Sequence, residues 1–255
     1  LVGFVAGIYL RGVHFIQIPT TLLSAIDSSV GGKTAVDLPE GKNLAGVFHQ
    51  PRLVLCDVSL FESLPSAVFE DGCSELIKYG MIMDPILLKG LLERPAALKA
   101  SDADLVEIVK ICVELKASVV LEDEFDQGLR QLLNYGHTLG HALEQVSGYQ
   151  ISHGRGVATG MLVFLKIAVR QGRLAPEAVE KFARLLHTYH LLPERYNYST
   201  ELLQAAMLKD KKRRSQTITI VLPSEFGRCE LKELPIEIFM NVFEEEWLAY
   251  GQATS

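Results

Sequence analysis

The spacing of apolar residues changes after Ser63-Leu64-Pro65, and that change limits the chain to two kinds of structure in succession. Before it, HFIQIP alternates β-favouring residues up to Pro19, and RLVLCDV is apolar enough to lie between helices, so both read as strands. LVGFVAGIYLRG reads as a short buried helix ending at Gly12, and TTLLSAIDSSVGGKTAVD as a helical segment, a Gly-Gly turn and a return. After the change, helix-period stretches run from about Ser66 to Leu98, Asp102 to Val120, Gln127 to Val146 and Gly156 to Gln171, then onward from Pro176. A single late hairpin is expected, TITIVLP turning at SEFG into RCELKEL. The expected fold is therefore an α/β part over 1–65 followed by a mainly helical part over 66–255 with a small β-hairpin. No repeat or low-complexity linker separates them, which makes the boundary a change of layer and not a tether.

The 255 residues, 48% hydrophobic and 22% charged, suffice for one large core or two smaller ones. A net charge of −6 excludes a general nucleic-acid surface, so any basic residues with a role must be locally concentrated. Cys56, Cys73, Cys112 and Cys229 form no CxxC pair, which suits a reducing compartment and points to the cytoplasm. No apolar run is long enough for a membrane helix, and LVGFVAGIYL lacks the basic start and cleavage pattern of a signal peptide. The first Met is Met81, so Leu1 is read as a position inside a longer natural chain.

Chemistry concentrates in GLRQLLNYGHTLGHALE. At about 100° per residue, Arg130, Asn134, His137 and His141 fall on one helix face, while Leu132, Leu133, Leu139 and Leu143 bury the rest. Such a stripe combines metal ligation, proton transfer and anion binding around one substrate. SELIKYG sets Glu75 and Lys78 three residues apart on a helix, a spacing that by itself describes a surface ion pair of little worth. With His137 and His153, Glu75 instead completes a Glu-His-His set, three ligands with an open position, as in catalytic zinc sites. HTLGH has no Glu after His137, so it is not the zincin helix. Nor is DSSVGGK a Walker loop, because Asp27 stands where that motif needs glycine; its turn, acid and ammonium suit a polyhydroxylated or phosphorylated ligand.

FIQIPTTLLSAIDSSVGGKTAVD, GKNLAGVFHQP, SELIKYG, LRQLLNYGHTLGHALE and HGRGVATGM, in that order, resemble the 3-dehydroquinate synthase family over nearly the whole chain. Cys73-Ser74 stand where the family usually has Met-Ala, and Ser63 where it usually has Thr. The GGGVxGD loop and first strands that precede the equivalent of LVGFVAG in the family are not in this sequence. The resemblance implies that 1–65 is part of a Rossmann-like NAD-binding domain and 66–255 the metal and substrate domain. It implies a divalent metal, zinc or cobalt, on Glu75, His137 and His153, and NAD against Thr20, Thr21, Lys33, Lys42, Leu60, Phe61, Glu62 and Ser63. Asp27, Asn43, Lys78, Lys116, Arg130, Asn134 and His141 would surround a sugar acid phosphate, with Lys116 and Arg130 toward its carboxylate. Lys211 or Lys212 would reach its phosphate, and Arg11 that of a neighbouring subunit, which implies a homodimer.

The implied reaction takes 3-deoxy-arabino-heptulosonate 7-phosphate to 3-dehydroquinate and phosphate. It runs by transient oxidation, phosphate elimination, hydride return, ring opening and aldol closure, with no net redox change. The residues implied as catalytic are His141, Lys78, Asp27 and Asn134, with His141 the proton shuttle. Two alternatives stay open: another sugar phosphate cyclase or a related polyol dehydrogenase on the same scaffold, and a non-catalytic fragment that keeps the metal and anion sites. Without the Gly-rich turn that receives the pyrophosphate, weak NAD binding and little or no synthase activity are expected of this chain by itself, together with association through its exposed sheet or its native dimer surface.

Overall fold

The computed structural model describes residues 1–38, 41–192, 196–208 and 216–252. The chain divides into two compact units, the first built from 1–72 and 99–130, the second from 73–98 and 131–255. The division is discontinuous, because the segment from 99 to 130 belongs with the N-terminal part, whereas the sequence suggested a single cut near residue 65.

In the first unit, helix α1 (Val2–Ile8) is followed by β1 (Ile16–Gln17), which pairs in parallel with β4 (Leu53–Val54). The two expected strands therefore form and find each other, though as a pair only two residues long. Between them lies a feature the sequence reading left as a turn and return. Lys33–Leu38 (β2) and Gly41–Phe48 (β3) form an antiparallel hairpin in which Lys33 faces Phe48 and Val36 faces Ala45. Asp37 Oδ1 accepts the Asn43 N–H at 2.9 Å near the hairpin's turn. Helix α4 (Leu105–Glu122) buries Leu105, Ile108, Val109, Cys112, Val119 and Val120, and it packs on the short helical turn Ser24–Ser28. Leu22, Ala25, Ile26 and Phe61 are also buried in this unit.

The expected helix from Ser66 to Leu98 is two helices, α2 (Ser66–Met83) and α3 (Pro85–Glu93). Asp84-Pro85 sets the break: Pro disfavours helical backbone in the residue before it, and the Asp84 carboxylate accepts the N–H groups of Ile86 and Leu87 at 3.0 and 2.9 Å. The second unit continues with α5 (His137–Val146), α6 (His153–Arg170), α7 (Glu177–Thr188) and α8 (Thr200–Leu208). Helix α6 is its centre, buried almost all round by Val157, Met161, Val163, Phe164, Leu165 and Ile167. The late hairpin appears as expected, Thr217–Glu225 (β5) against Arg228–Pro235 (β6), turning at Phe226-Gly227, and α9 (Ile236–Gln252) closes the chain. Among the described residues the strands form three two-stranded sheets, so helix dominates the fold.

Candidate functional site

Residues of the second unit, carried on three helices, bring one chemical group together. Glu75 and Lys78 come from α2, His137 and His141 from the first turns of α5, and His153 is the first residue of α6. Helices α5 and α6 approach backbone to backbone: a Cβ on Gly140 would lie 3.0 Å from the Gly156 carbonyl carbon, and one on Gly156 3.0 Å from the Gly140 carbonyl oxygen. That approach sets the imidazoles of His137 and His153 5.3 Å apart between ring centres, with His141 5.3 Å from His137 and 6.0 Å from His153.

The Nε2 atoms of His137 and His153 point at the same carboxylate oxygen, Glu75 Oε1, at 3.4 and 3.5 Å. Ligands about 2.1 Å from a shared tetrahedral centre sit about 3.4 Å apart, so both of these distances match a zinc or cobalt site, and the three ligand atoms all lie within 4.8 Å of one another. The other ring nitrogens are engaged elsewhere, His137 Nδ1 with the Tyr135 carbonyl at 3.1 Å and His153 Nδ1 with Glu144 Oε1 at 2.8 Å. Glu75 is 0% exposed, and neither of its oxygens completes a hydrogen bond, although Lys78 lies against it in a buried ion pair. Lys78 already sets positive charge against this carboxylate, so what fits a divalent metal is the donor set itself, a buried carboxylate oxygen with two imidazole nitrogens converging on it at ligand spacing. The pair three residues apart is thus an interior one, not the surface pair its spacing described.

Protonation follows from the surroundings. Burial works to raise the Glu75 pKa, but Lys78, then His137 and His153, hold it well below the usual carboxylate range. Burial, with Lys78 close by, pushes His137 down to about 3. His153 is also disfavoured in its charged form by burial, yet Glu144 and Glu75 override this and raise it to about 10. His137 is therefore neutral and His153 protonated at neutral pH.

The four-residue polar stripe is not one helix face. Leu129–Asn134 is a tight 3-10 turn, and Gly136, at φ +79°, breaks it from α5, so only His137 and His141 keep their helical spacing. Asn134 ends the 3-10 turn exposed, and Arg130 belongs to the first unit. There Arg130 is buried and donates to two main-chain carbonyls, Gly31 at 2.9 Å and Glu124 at 2.6 Å. Lys116, also buried, bonds Asp27 Oδ1 at 2.8 Å. Asp27, Gly31, Lys116 and Arg130 thus link the DSSVGGK segment to α4 and the loop after it, while Lys33 pairs with Asp126.

The remaining sequence candidates of the first unit are spread along it. Thr21 exchanges hydrogen bonds with Ser24, and Thr20 is exposed. Leu60, Phe61, Glu62 and Ser63 lie in a 3-10 turn, with Phe61 buried and the Ser63 hydroxyl bonded to the Leu60 carbonyl at 2.9 Å. Asn43 is exposed at φ +57°, and Arg11 exposed at φ +66°. Lys42 lies on β3, while Lys211 and Lys212 fall outside the described residues. The sequence reading missed Glu144, which was legible only as a carboxylate three residues after His141 on the same helix.

Comparison with known proteins decides the family. The model for the 3-dehydroquinate synthase N-terminal region matches residues 1–71, and that for the C-terminal region residues 72–213. The chain belongs to the 3-dehydroquinate synthase family. It is 46% identical over 247 residues to the 3-dehydroquinate synthase of Pelobacter propionicus, which covers 95% of this chain and 68% of that protein. It is 46% identical over 234 residues to that of Pseudoalteromonas translucida, covering 91% and 66%. The chain therefore spans about two thirds of the length of these synthases. Among solved structures, a 2-epi-5-epi-valiolone synthase from Streptomyces hygroscopicus subsp. jinggangensis, with NAD+ and Zn2+ bound, shares the fold at TM-score 0.90 and 23% identity, over 99% of this chain and 70% of that one. A 2-deoxy-scyllo-inosose synthase complexed with carbaglucose-6-phosphate, NAD+ and Co2+ matches at TM-score 0.80 and 26% identity, over 95% and 70%.

Proposed function

We propose that the chain acts as a 3-dehydroquinate synthase, converting 3-deoxy-arabino-heptulosonate 7-phosphate to 3-dehydroquinate and phosphate with NAD and a zinc or cobalt ion. The observation that carries this reading is the convergence of Glu75, His137 and His153 on one point, with a buried carboxylate that lacks hydrogen bonds, in a member of that family. The cofactors of the inosose synthase, NAD+ and Co2+, and its sugar phosphate analogue support the same assignment.

When bound, the metal would polarise substrate oxygens and NAD would accept and return a hydride. The rest falls to the chain's own side chains. Glu75, His137 and His153 hold the metal, and His141, exposed beside both histidines, moves protons. Lys78 holds the Glu75 carboxylate ionised, so that it stays a ligand. Lys116 and Arg130, held near Asp27 and Gly31, supply positive charge for a carboxylate in an otherwise acidic chain, with Asp27, Asn43 and Asn134 as hydroxyl partners. Thr20, Thr21, Lys33, Lys42 and the 60–63 turn are assigned to NAD, and Lys211 or Lys212 to the substrate phosphate. Arg11, exposed, is assigned to the phosphate in a second copy, in a homodimer of the cytoplasm where Cys56, Cys73, Cys112 and Cys229 stay reduced thiols, not disulfides.

Cobalt titration followed by visible absorption tests this. One Co2+ per chain is expected, and His137→Ala should lose it; a variant with full metal content rejects the ligand set. With NAD present, the heptulosonate phosphate should perturb the cobalt bands and glucose 6-phosphate should not. The opposite preference would assign the site to another sugar phosphate cyclase.

A further inference from the structure

The two histidines of the site differ in what holds their second nitrogen. His137 Nδ1 meets a neutral main-chain carbonyl, that of Tyr135, at 3.1 Å. His153 Nδ1 meets a carboxylate, Glu144 Oε1, at 2.8 Å. Glu144 is 4% exposed, and its main-chain carbonyl is itself tied down, accepting from the Tyr149 N–H at 2.7 Å and the Ser147 hydroxyl at 2.9 Å. Helix α5 thus contributes a third functional side chain, one turn beyond His141, whose position the turn after the helix fixes. His153, the first residue of α6, has no helical turn before it to orient its ring, and its side chain is 28% exposed against 12% for His137.

From this juxtaposition we infer that Glu144 is a positioning residue for the metal. By accepting Nδ1–H of His153 it fixes the tautomer in which Nε2 faces Glu75 Oε1 and His137 Nε2, and its charge makes that nitrogen the stronger donor. The inference rests on the metal reading above, and it places a second carboxylate behind the ligands without making it a ligand. A carboxylate behind an imidazole ligand commonly governs metal affinity by about 10–100-fold, through both orientation and basicity. Burial sharpens the effect here, because Glu144 is 4% exposed and a carboxylate that stays out of water depends strongly on its hydrogen-bond donors.

The alternative use of the same atoms is a separate metal site, since ligand atoms of His141, Glu144 and His153 also lie within 4.8 Å of one another. That arrangement would demand Nδ1 of His153 as a ligand and so cost the hydrogen bond. Cobalt stoichiometry separates the two: one ion per chain is the positioning outcome, and two ions, with the second lost in Glu144→Ala, would overturn it.

The test compares Glu144→Gln and Glu144→Ala with the unaltered chain, by Co2+ titration, the cobalt absorption spectrum, and the nitrogen-attached proton resonances of the zinc-loaded, 15N-labelled protein. Glu144→Gln keeps an acceptor for Nδ1–H and loses the charge, so it should retain the His153 Nδ1–H resonance with a several-fold weaker affinity. Glu144→Ala should lose that resonance, bind cobalt about 10–100-fold more weakly and show an altered spectrum, while its far-ultraviolet circular dichroism stays unchanged. Should the alanine variant fail to fold, the glutamine variant still decides: affinity and spectrum equal to the unaltered chain's would overturn the role assigned to the charge. Unchanged affinity in a folded Glu144→Ala overturns the inference and leaves the metal reading standing. Absence of cobalt binding by the unaltered chain removes both.

Discussion

In the proposed metal site, His153 is the residue at which metal, proton and fold compete most directly. In the metal-free site it keeps its proton until about pH 10, whereas His137 loses its own near pH 3 and is ready as a ligand across the neutral range. The raised pKa means that protonated His153 stabilises the metal-free fold fully below its unfolded pKa, a contribution lost as pH rises through about 10. A metal ion must displace the Nε2 proton, so Co2+ affinity should climb about tenfold per pH unit from pH 6 to 8, with one proton released per ion. Calorimetric titration in buffers of different ionisation enthalpy reads that proton, and a flat pH dependence would mean that His153 carries no proton for the metal to displace. Of the residues around this nitrogen, Glu75, His137 and His153 were legible because ligand chemistry is a property of residue type. Glu144 was not legible, because a carboxylate after two histidines on a helix gains its meaning only when α6 brings His153 back against it.

At the scale of elements, periodicity gave strands and helices their positions but not their interruptions. The Gln127–Val146 stretch has unbroken helical spacing, yet Gly136 takes a left-handed φ that the pattern does not encode. Pro85 was a readable stop that the longer apolar rhythm overrode, and the β2–β3 hairpin escaped notice because Gly41 and Gly46 interrupt its alternation. The glycines of α5 and α6 carry the least visible information, since their work is to let two backbones touch. At Gly160, a Cβ would be driven into the main-chain carbonyl of Gly136. Gly160→Ala is expected to cost about 1–3 kcal/mol in denaturant unfolding, as overpacking does, and to weaken cobalt binding by moving His137 away from His153. Gly90 in α3 is the contrasting case, exposed and with nothing within 4 Å of an added Cβ. Gly90→Ala should stabilise by about 0.5–1 kcal/mol through helix propensity alone and leave cobalt binding unchanged. Equal effects of the two substitutions would mean that the close approach of α5 and α6 does not hold the site.

Across the whole molecule, the two compact units differ in how well they hide their apolar surface. The second unit has α6 buried nearly all round, and its hairpin is covered on one side by helices. The first has a parallel pair only two residues long, and two strands do not make an independently stable sheet. Ile16 and Leu53 are register partners, 60% and 52% exposed, and Ile18 and Leu55 repeat the same face two residues on, also more than half exposed. Such a patch, on a sheet that has two strands among the described residues, favours association between copies. Sedimentation velocity at rising concentration should therefore show the chain moving toward larger species. The combined substitution Ile16→Lys and Leu53→Lys, which sets like charges side by side on that face, should shift the distribution back toward the monomer without altering cobalt stoichiometry. Loss of metal along with association would mean that the substitutions disturb more than that face. Association unchanged in the lysine variant would place the contact elsewhere, with Val2, Val5 and Ile8 of α1 the next exposed apolar face to substitute.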